Sequence, residues 1–305
     1  LRKWIRTLLC STIAVAIVMS PTAAHATSPS NIQADVSFSD KALQSWIDQL
    51  AEQPGFEAWK GAYAEQTPLG PGTHSWLALI KQKPEGNTVG YAVIHAAQDG
   101  GFTIGEYGIG QYLYDKQTLL PYLEGDKATL SQKQPEIRYI HPLLAVWRTS
   151  SKSADEVEYN DAMSGEQLPL EDEVWTKAAK KEEQLLAALP QLLLSDSDAA
   201  APTMLASAAN PSFDPYGKLS WLTGDTPLAA SKDDISKVLY RLKAKKPLQY
   251  TAERYDGKMR YVWSVTGFHS WEGGTSYAAL ESDEWSGSKR FIPIQLLAEL
   301  GAFYR

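Results

Sequence analysis

The sequence predicts an α+β protein of two small domains, each an antiparallel sheet packed with one or two helices. Three observations carry that reading. A helical periodicity places Leu43, Trp46, Ile47 and Leu50 on one face near the start of the chain's body. Strand-like runs punctuated by Gly, Pro, Asn and Asp occur in two groups, one in each half of the chain. Between the groups, Ser195 to Ser212 is rich in Ala, Ser, Asp and Pro, with little to bury.

Taken in order, residues 1–26 read as a secretory signal. Arg2, Lys3 and Arg6 supply the positive region, Leu8 to Met19 the apolar core, and Ala24-His25-Ala26 the small-residue cleavage site. The apolar run is shorter than the roughly 20 residues that cross a bilayer as a helix. Cleavage after Ala26 is therefore expected, giving a secreted, extracellular or wall-associated chain with no stable membrane insertion. An uncleaved anchor is the alternative. Leu1, read as a translated alternative start codon, points to a bacterial source.

Residues 27–37 are small and polar, a flexible leader. The N-terminal domain, 38–171, starts with a helix capped by Ser37 and ended by Pro54-Gly55. Strands follow at His74–Gln82, Thr88–Ala97 and Phe102–Tyr107, joined by turns at Pro84–Asn87 and Gln98–Gly101, with more at Ile137–Arg148 and Val157–Asn160. A connecting helix covers 172–194, with Pro190 kinking or ending it. Residues 195–212 read as an exposed linker. The C-terminal domain, 213–305, holds a helix at Asp233–Lys243, a hairpin over Asp256-Gly257, a strand at Thr275–Ser282 and a closing helix at Ile294–Leu300.

Composition excludes several functions. Removing residues 1–26 takes away three cations and no acid, so 29 Lys+Arg against 36 Asp+Glu, −7 for the whole chain, becomes −10. Such a surface repels nucleic-acid phosphates and anionic lipid or wall polymers at long range, and nucleic acid is not an expected partner. The only cysteine, Cys10, leaves with the signal, which removes disulfides, thiol nucleophiles and thiolate metal sites. The remaining histidines show no metal-ligand spacing, and neither a Gly-x-Ser-x-Gly elbow nor a phosphate loop is present. No cofactor and no metal are expected. His-Ser-Trp occurs twice, at His74–Trp76 and His269–Trp271, with unrelated flanks.

Tyr159-Asn160-Asp161-Ala162-Met163-Ser164-Gly165-Glu166-Gln167-Leu168-Pro169 resembles the ending of PepSY-type domains, with Ser164 in place of the usual Thr. Gly90–Ile94 followed by Asp99–Gly108 is similar to the central hairpin of bacterial peptidase propeptides of related cystatin-like shape. The resemblance spans residues 88–169 in short patches. It implies an exported, non-catalytic module that inhibits, chaperones or scaffolds a partner, and it carries no catalytic residues over. Independently of any family, Asp161 can cap that turn and Gly165 can supply its positive φ. Tyr261–Phe268 with Tyr277–Leu280 is also similar to late strands of C39-like thiol peptidases. Met259-Arg260 stands where that family opens a strand with His, and no thiol survives export, so the likeness implies an inactive relative at most.

Trp46, Trp147 and Trp263 lie in apolar-periodic segments and are expected in cores. Trp271 and Trp285, flanked by Gly and acids, are the candidates for ligand stacking. With His269, Glu272, Asp283 and Glu284 they make residues 266–287 the densest polar cluster, where paired carboxylates and a histidine would suit glycoside or peptidoglycan cleavage. Against this stands the simpler reading of a solvated loop. The function expected from the sequence is a secreted, non-catalytic binding or accessory protein that captures a peptide, protein or cell-wall component through a cleft or a strand edge. A cell-envelope hydrolase using His269 and the neighbouring acids is the alternative.

Overall fold

Helix α1 (Asp40–Ala51) buries Leu43, Trp46, Ile47 and Leu50 completely, as its apolar stripe requires. The structure, a computed structural model, describes residues 40–70, 73–83, 86–97, 101–123, 133–151, 157–194, 201–229, 234–282 and 287–305. The expected signal, leader and Ser37 cap lie outside the described residues, as do most of the Gln98–Gly101 turn and residues 283–286. From Phe38 to Arg305 the chain is one compact unit.

Eleven strands form one antiparallel sheet. The first four, β1 (Tyr63–Pro68), β2 (Ser75–Lys81), β3 (Thr88–Ala96) and β4 (Phe102–Ile109), pair in sequence. Four more strands that pair in sequence, β5 (Lys133–His141), β6 (Leu144–Ser151), β7 (Val157–Asp161) and β8 (Gln167–Leu168), make a separate four-stranded sheet. The large sheet resumes with β9 (Leu192–Leu194) on β4 and β10 (Met204–Ala209) on β12 (Met259–Trp271). Beyond β4 its order runs β14 (Lys289–Pro293), β13 (Ser276–Glu281), β12, β11 (Leu248–Arg254) and β15 (Ala302–Tyr304). Four further helices are described: α2 (Lys116–Leu119), α3 (Asp172–Ala187), α4 (Ile235–Lys243) and α5 (Ile294–Leu300).

Strands expected in two separate domains therefore share the large sheet. The seam is β4 against β14, with Tyr107 opposite Phe291 and their rings stacked at 4.8 Å. Part of the expected linker is strand β10: its Ala and Ser side chains are too small to show an apolar alternation, yet Ala206 and Ala208 pack on the core. The connecting helix stops at Ala187, ahead of Pro190, and Leu192–Leu194 adds to the sheet instead. The run expected as one strand over Ile137–Arg148 turns back at Pro142-Leu143 to form the β5–β6 hairpin. The Asp161 turn forms as its chemistry predicts: the carboxylate accepts from the Met163 and Ser164 amides, and Gly165 has φ +78°. This turn lies in the small sheet, whereas the β3–β4 hairpin lies in the large one.

Alternation on β2 and β3 sorts the layers. Ala78, Ile80, Ala92 and Ile94 join α1 on one face of the large sheet. Leu77, Tyr91 and Val93 face the other way, into a second core shared with Tyr139 and Trp147 of the small sheet and with α4 and α5. Trp46, Trp147 and Trp263 are core residues as expected.

Candidate functional site

A cross-strand row opens the site. Ser75 of β2 pairs with His95 of β3, which pairs with Thr103 of β4, which pairs with Leu193 of β9. Residues in one such row project from the same face. Here Ser75, His95 and Thr103 floor a cleft of about 490 Å³, walled by the β5–β6 turn at Tyr139–Pro142, by Leu186 at the end of α3 and Leu189 just beyond it, and by Leu296 at the start of α5.

The Ser75 hydroxyl lies 2.7 Å from His95 Nδ1 and 3.0 Å from the Thr73 carbonyl oxygen. A hydroxyl has one proton, and a carbonyl can only accept. The pair is satisfied when Ser75 donates to Thr73 and His95 Nδ1–H donates to Ser75, which leaves His95 Nε2 as an acceptor. That nitrogen rests over Gly105, where a Cβ would come within 2.4 Å of it. Burial holds the His95 imidazole neutral, with its pKa pulled down to about 4. A serine whose proton is committed to a carbonyl, beside a weakly basic imidazole, is poorly arranged for nucleophilic attack.

Behind His95 the Tyr139 ring packs at 5.8 Å, and its hydroxyl donates to Glu106 at 3.1 Å. Glu106 also accepts from Tyr91 and from Arg290, all of them buried. Burial raises the Tyr91 and Tyr139 pKa values well above the ordinary range, and the nearby Glu106 charge adds to the rise. Arg290 Nη2 donates as well to the Pro142 carbonyl at the cleft wall, so the network fixes that turn.

A second buried cluster holds the opposite wall. Leu143 N–H donates to His141 Nδ1, so Nε2 carries the proton given to Glu182 at 2.6 Å. Glu182, on α3, also pairs with Arg254. Desolvation opposes its ionisation, but the bonds from His141 and Arg254 outweigh that and lower its pKa to about 2. Desolvation lowers the His141 pKa, against the pull of Glu182.

One cleft group lacks a partner. The Thr103 Oγ1 is buried and has no hydrogen-bond partner among the described residues. The rest of the lining is mainly apolar, so the cleft is a greasy surface over His95 and the buried Thr103 hydroxyl, with the exposed His74 also in its lining.

The described residues singled out from the sequence lie elsewhere. His269 is buried among Phe56, Tyr107 and Phe291, with Nδ1 2.8 Å from the Tyr107 hydroxyl, and burial pulls its pKa to about 3. It borders a void of about 50 Å³ that no carboxylate lines. Glu272 is exposed on the β12–β13 turn and accepts from the Thr203 amide. Trp271 is 1% exposed and packs on Trp46, so it offers no stacking surface, because its strand places it on the α1 face. Asp283, Glu284 and Trp285 lie outside the described residues. Among the described residues no group of three or more His, Cys, Asp or Glu side chains could hold a metal ion, and no helix is long and apolar enough to cross a membrane.

Sequence reasoning passed over Ser75, His95, Thr103 and Tyr139. The signal was partial: the His74-Ser75-Trp76 tripeptide and a histidine closing an apolar strand are visible, but the register that sets Ser75 opposite His95 is not. No family model, curated protein or solved structure matches the chain.

Proposed function

We propose that this is an exported, non-catalytic accessory protein that captures a peptide, a protein segment or a cell-wall component in the β2–β3–β4 cleft. The observation that carries this reading is the buried, unpartnered Thr103 hydroxyl on the floor of an otherwise apolar cleft of about 490 Å³. A buried hydroxyl without a partner costs about 1–3 kcal/mol, and a ligand bonding to it would recover that cost. The volume falls in the range of ligand sites, which are mostly apolar with a few placed polar groups. The signal-like residues 1–26 and the PepSY-type resemblance favour export and binding. The burial of His269 away from Glu272 leaves the hydrolase alternative with less support.

The test is calorimetric titration with short apolar peptides and with peptidoglycan fragments, comparing the parent with Thr103→Val and Ala96→Trp. Ala96 is exposed at the cleft, so a tryptophan there fills the space at little cost to the fold. A ligand of this site loses affinity in both variants, while Thr103→Val is at least as stable as the parent. No binding from either panel, or binding indifferent to both changes, overturns the reading.

A further inference from the structure

Four large exposed apolar side chains outside the cleft lining come from α4 and from the 214–225 turn, which Arg305 bridges. Tyr240 is 77% exposed and Leu222 64%, and Tyr216 and Leu219 are exposed beside them, with the half-buried Trp221 edge-on to Tyr216. Single exposed apolar residues are ordinary, whereas a contiguous group marks an interaction surface. Arg305 joins the two halves of this group. Its main-chain oxygen accepts from Lys218 Nζ and Ser220 Oγ in the 214–225 turn. Its side chain lines a pocket of about 410 Å³ with Lys237, Tyr240, Arg241, Lys246 and Leu228.

That pocket is cationic in a chain of net charge −7. No acid lines it among the described residues, and the nearby acids are engaged: Asp234 pairs with Lys237, Asp225 with Lys218, and Asp214 accepts from the Tyr216 amide. Arg241 uses Nε on the Pro247 carbonyl, and burial together with the neighbouring Arg305 charge lowers its pKa. A cationic last turn complements the α4 dipole, but that does not account for Arg305, which comes from another element, or for the exposed leucines and tyrosines.

We propose that this face docks the protein on an anionic phospholipid surface, with a phosphodiester headgroup in the Arg241–Arg305 pocket and Leu219, Leu222, Tyr216 and Tyr240 in the interfacial zone. A soluble anion would use the pocket but not the apolar collar. Cations paired with aromatic and leucine side chains are the pattern of interfacial binding. The overall negative charge works against approach at long range, yet screening limits charges to about 10 Å at 0.1 M salt, so the local patch governs contact. The proposal is independent of the cleft.

The test is co-sedimentation of the chain lacking residues 1–26 with phosphatidylglycerol vesicles and with phosphatidylcholine vesicles. Removing the N-terminal apolar run excludes its own lipid affinity. Binding is expected to phosphatidylglycerol alone, weakening as salt rises. It falls by at least about tenfold in Arg241→Glu/Arg305→Glu and several-fold in Leu222→Ser, whose site is an exposed turn that leaves folding intact. No sedimentation with phosphatidylglycerol, equal binding to both lipids, or binding unchanged in these variants overturns the proposal. So does binding of inorganic phosphate, followed by calorimetry and lost in Arg241→Glu/Arg305→Glu, without vesicle binding.

Discussion

Arg290 of β14 donates from Nε and Nη2 to a single carboxylate oxygen of Glu106 on β4, at 3.0 and 2.8 Å, and both side chains are buried. This ion pair sits on the seam where the two halves of the large sheet meet. Its remaining valences are filled by Tyr91, Tyr139 and the Pro142 carbonyl. A buried pair so fully bonded repays its desolvation and fixes one registration of the strands.

Breaking the pair on one side is expected to be costly. Arg290→Met leaves Glu106 charged and buried, and should lower the unfolding free energy by about 3–5 kcal/mol, read from urea transitions. Glu106→Leu/Arg290→Met removes both charges and should recover much of that loss, the residue of the cost being the stranded Tyr91 and Tyr139 hydroxyls. A double variant no better than Arg290→Met would contradict this account.

Gly105→Ala tests the geometry of the cleft floor. The new Cβ would stand 2.4 Å from His95 Nε2, so the ring must leave its place and give up Ser75. The expected cost is about 1 kcal/mol for the lost hydrogen bond. The His95 ring NMR signals should shift strongly, while those of His269, in a separate core, stay in place. Unchanged His95 signals would show that the ring does not pack on Gly105.

Much of the fold is legible in the sequence where periodicity and turn chemistry agree. Leu43, Trp46, Ile47 and Leu50 mark α1, Asp256-Gly257 marks the β11–β12 hairpin with positive φ at both residues, and Ile294–Leu300 is the closing helix. Joining the halves is not legible, because it depends on Tyr107 meeting Phe291 across 184 positions, a pairing no local pattern encodes. Strand β1 (Tyr63–Pro68) is hidden for another reason: as an edge strand it buries little, so it shows no apolar alternation. The cleft follows the same logic. Its chemistry comes from a register, Ser75 to His95 to Thr103, and a one-residue slip would send all three to the other face. His269 and Glu272 are close in sequence, but a strand end separates the buried one from the exposed one.

Acid should destabilise the protein well before its carboxylates protonate. His269 has a pKa of about 3 in the folded chain against 6.5 unfolded, because burial penalises its charged form. The unfolded chain therefore binds the proton first. Stability is level above pH 6.5, declines as the pH falls through that value, and stops declining on this account only near pH 3. At pH 5 His269 alone contributes a loss of about 2 kcal/mol. His95, at about 4, and His141, also lowered, act in the same direction. His269→Phe should be less stable than the parent at pH 7, where Tyr107 loses its partner, yet lose less between pH 7 and pH 5. Urea midpoints at the two pH values decide it, and parallel losses in both proteins would refute the assignment.

Glu182 ties α3 to the rest of the molecule, and the cleft wall depends on it. His141 and Arg254 both bond its carboxylate, and Leu186 and Leu189 on the following turn line the cleft. Its pKa of about 2 lies below the ordinary carboxylate value of 4.5, so its contribution is complete above pH 4.5 and disappears as the pH falls through 2. Glu182→Gln keeps the shape but leaves Arg254 without a counter-charge, at an expected cost of about 3 kcal/mol at pH 7. The loss should be local first. Amide exchange in α3 should accelerate more than in α1, which packs on the opposite face of the large sheet. Ligands of the cleft should weaken in the same variant, since one wall has loosened. Uniform acceleration across α1 and α3 would mean that Glu182 supports the whole fold rather than this helix.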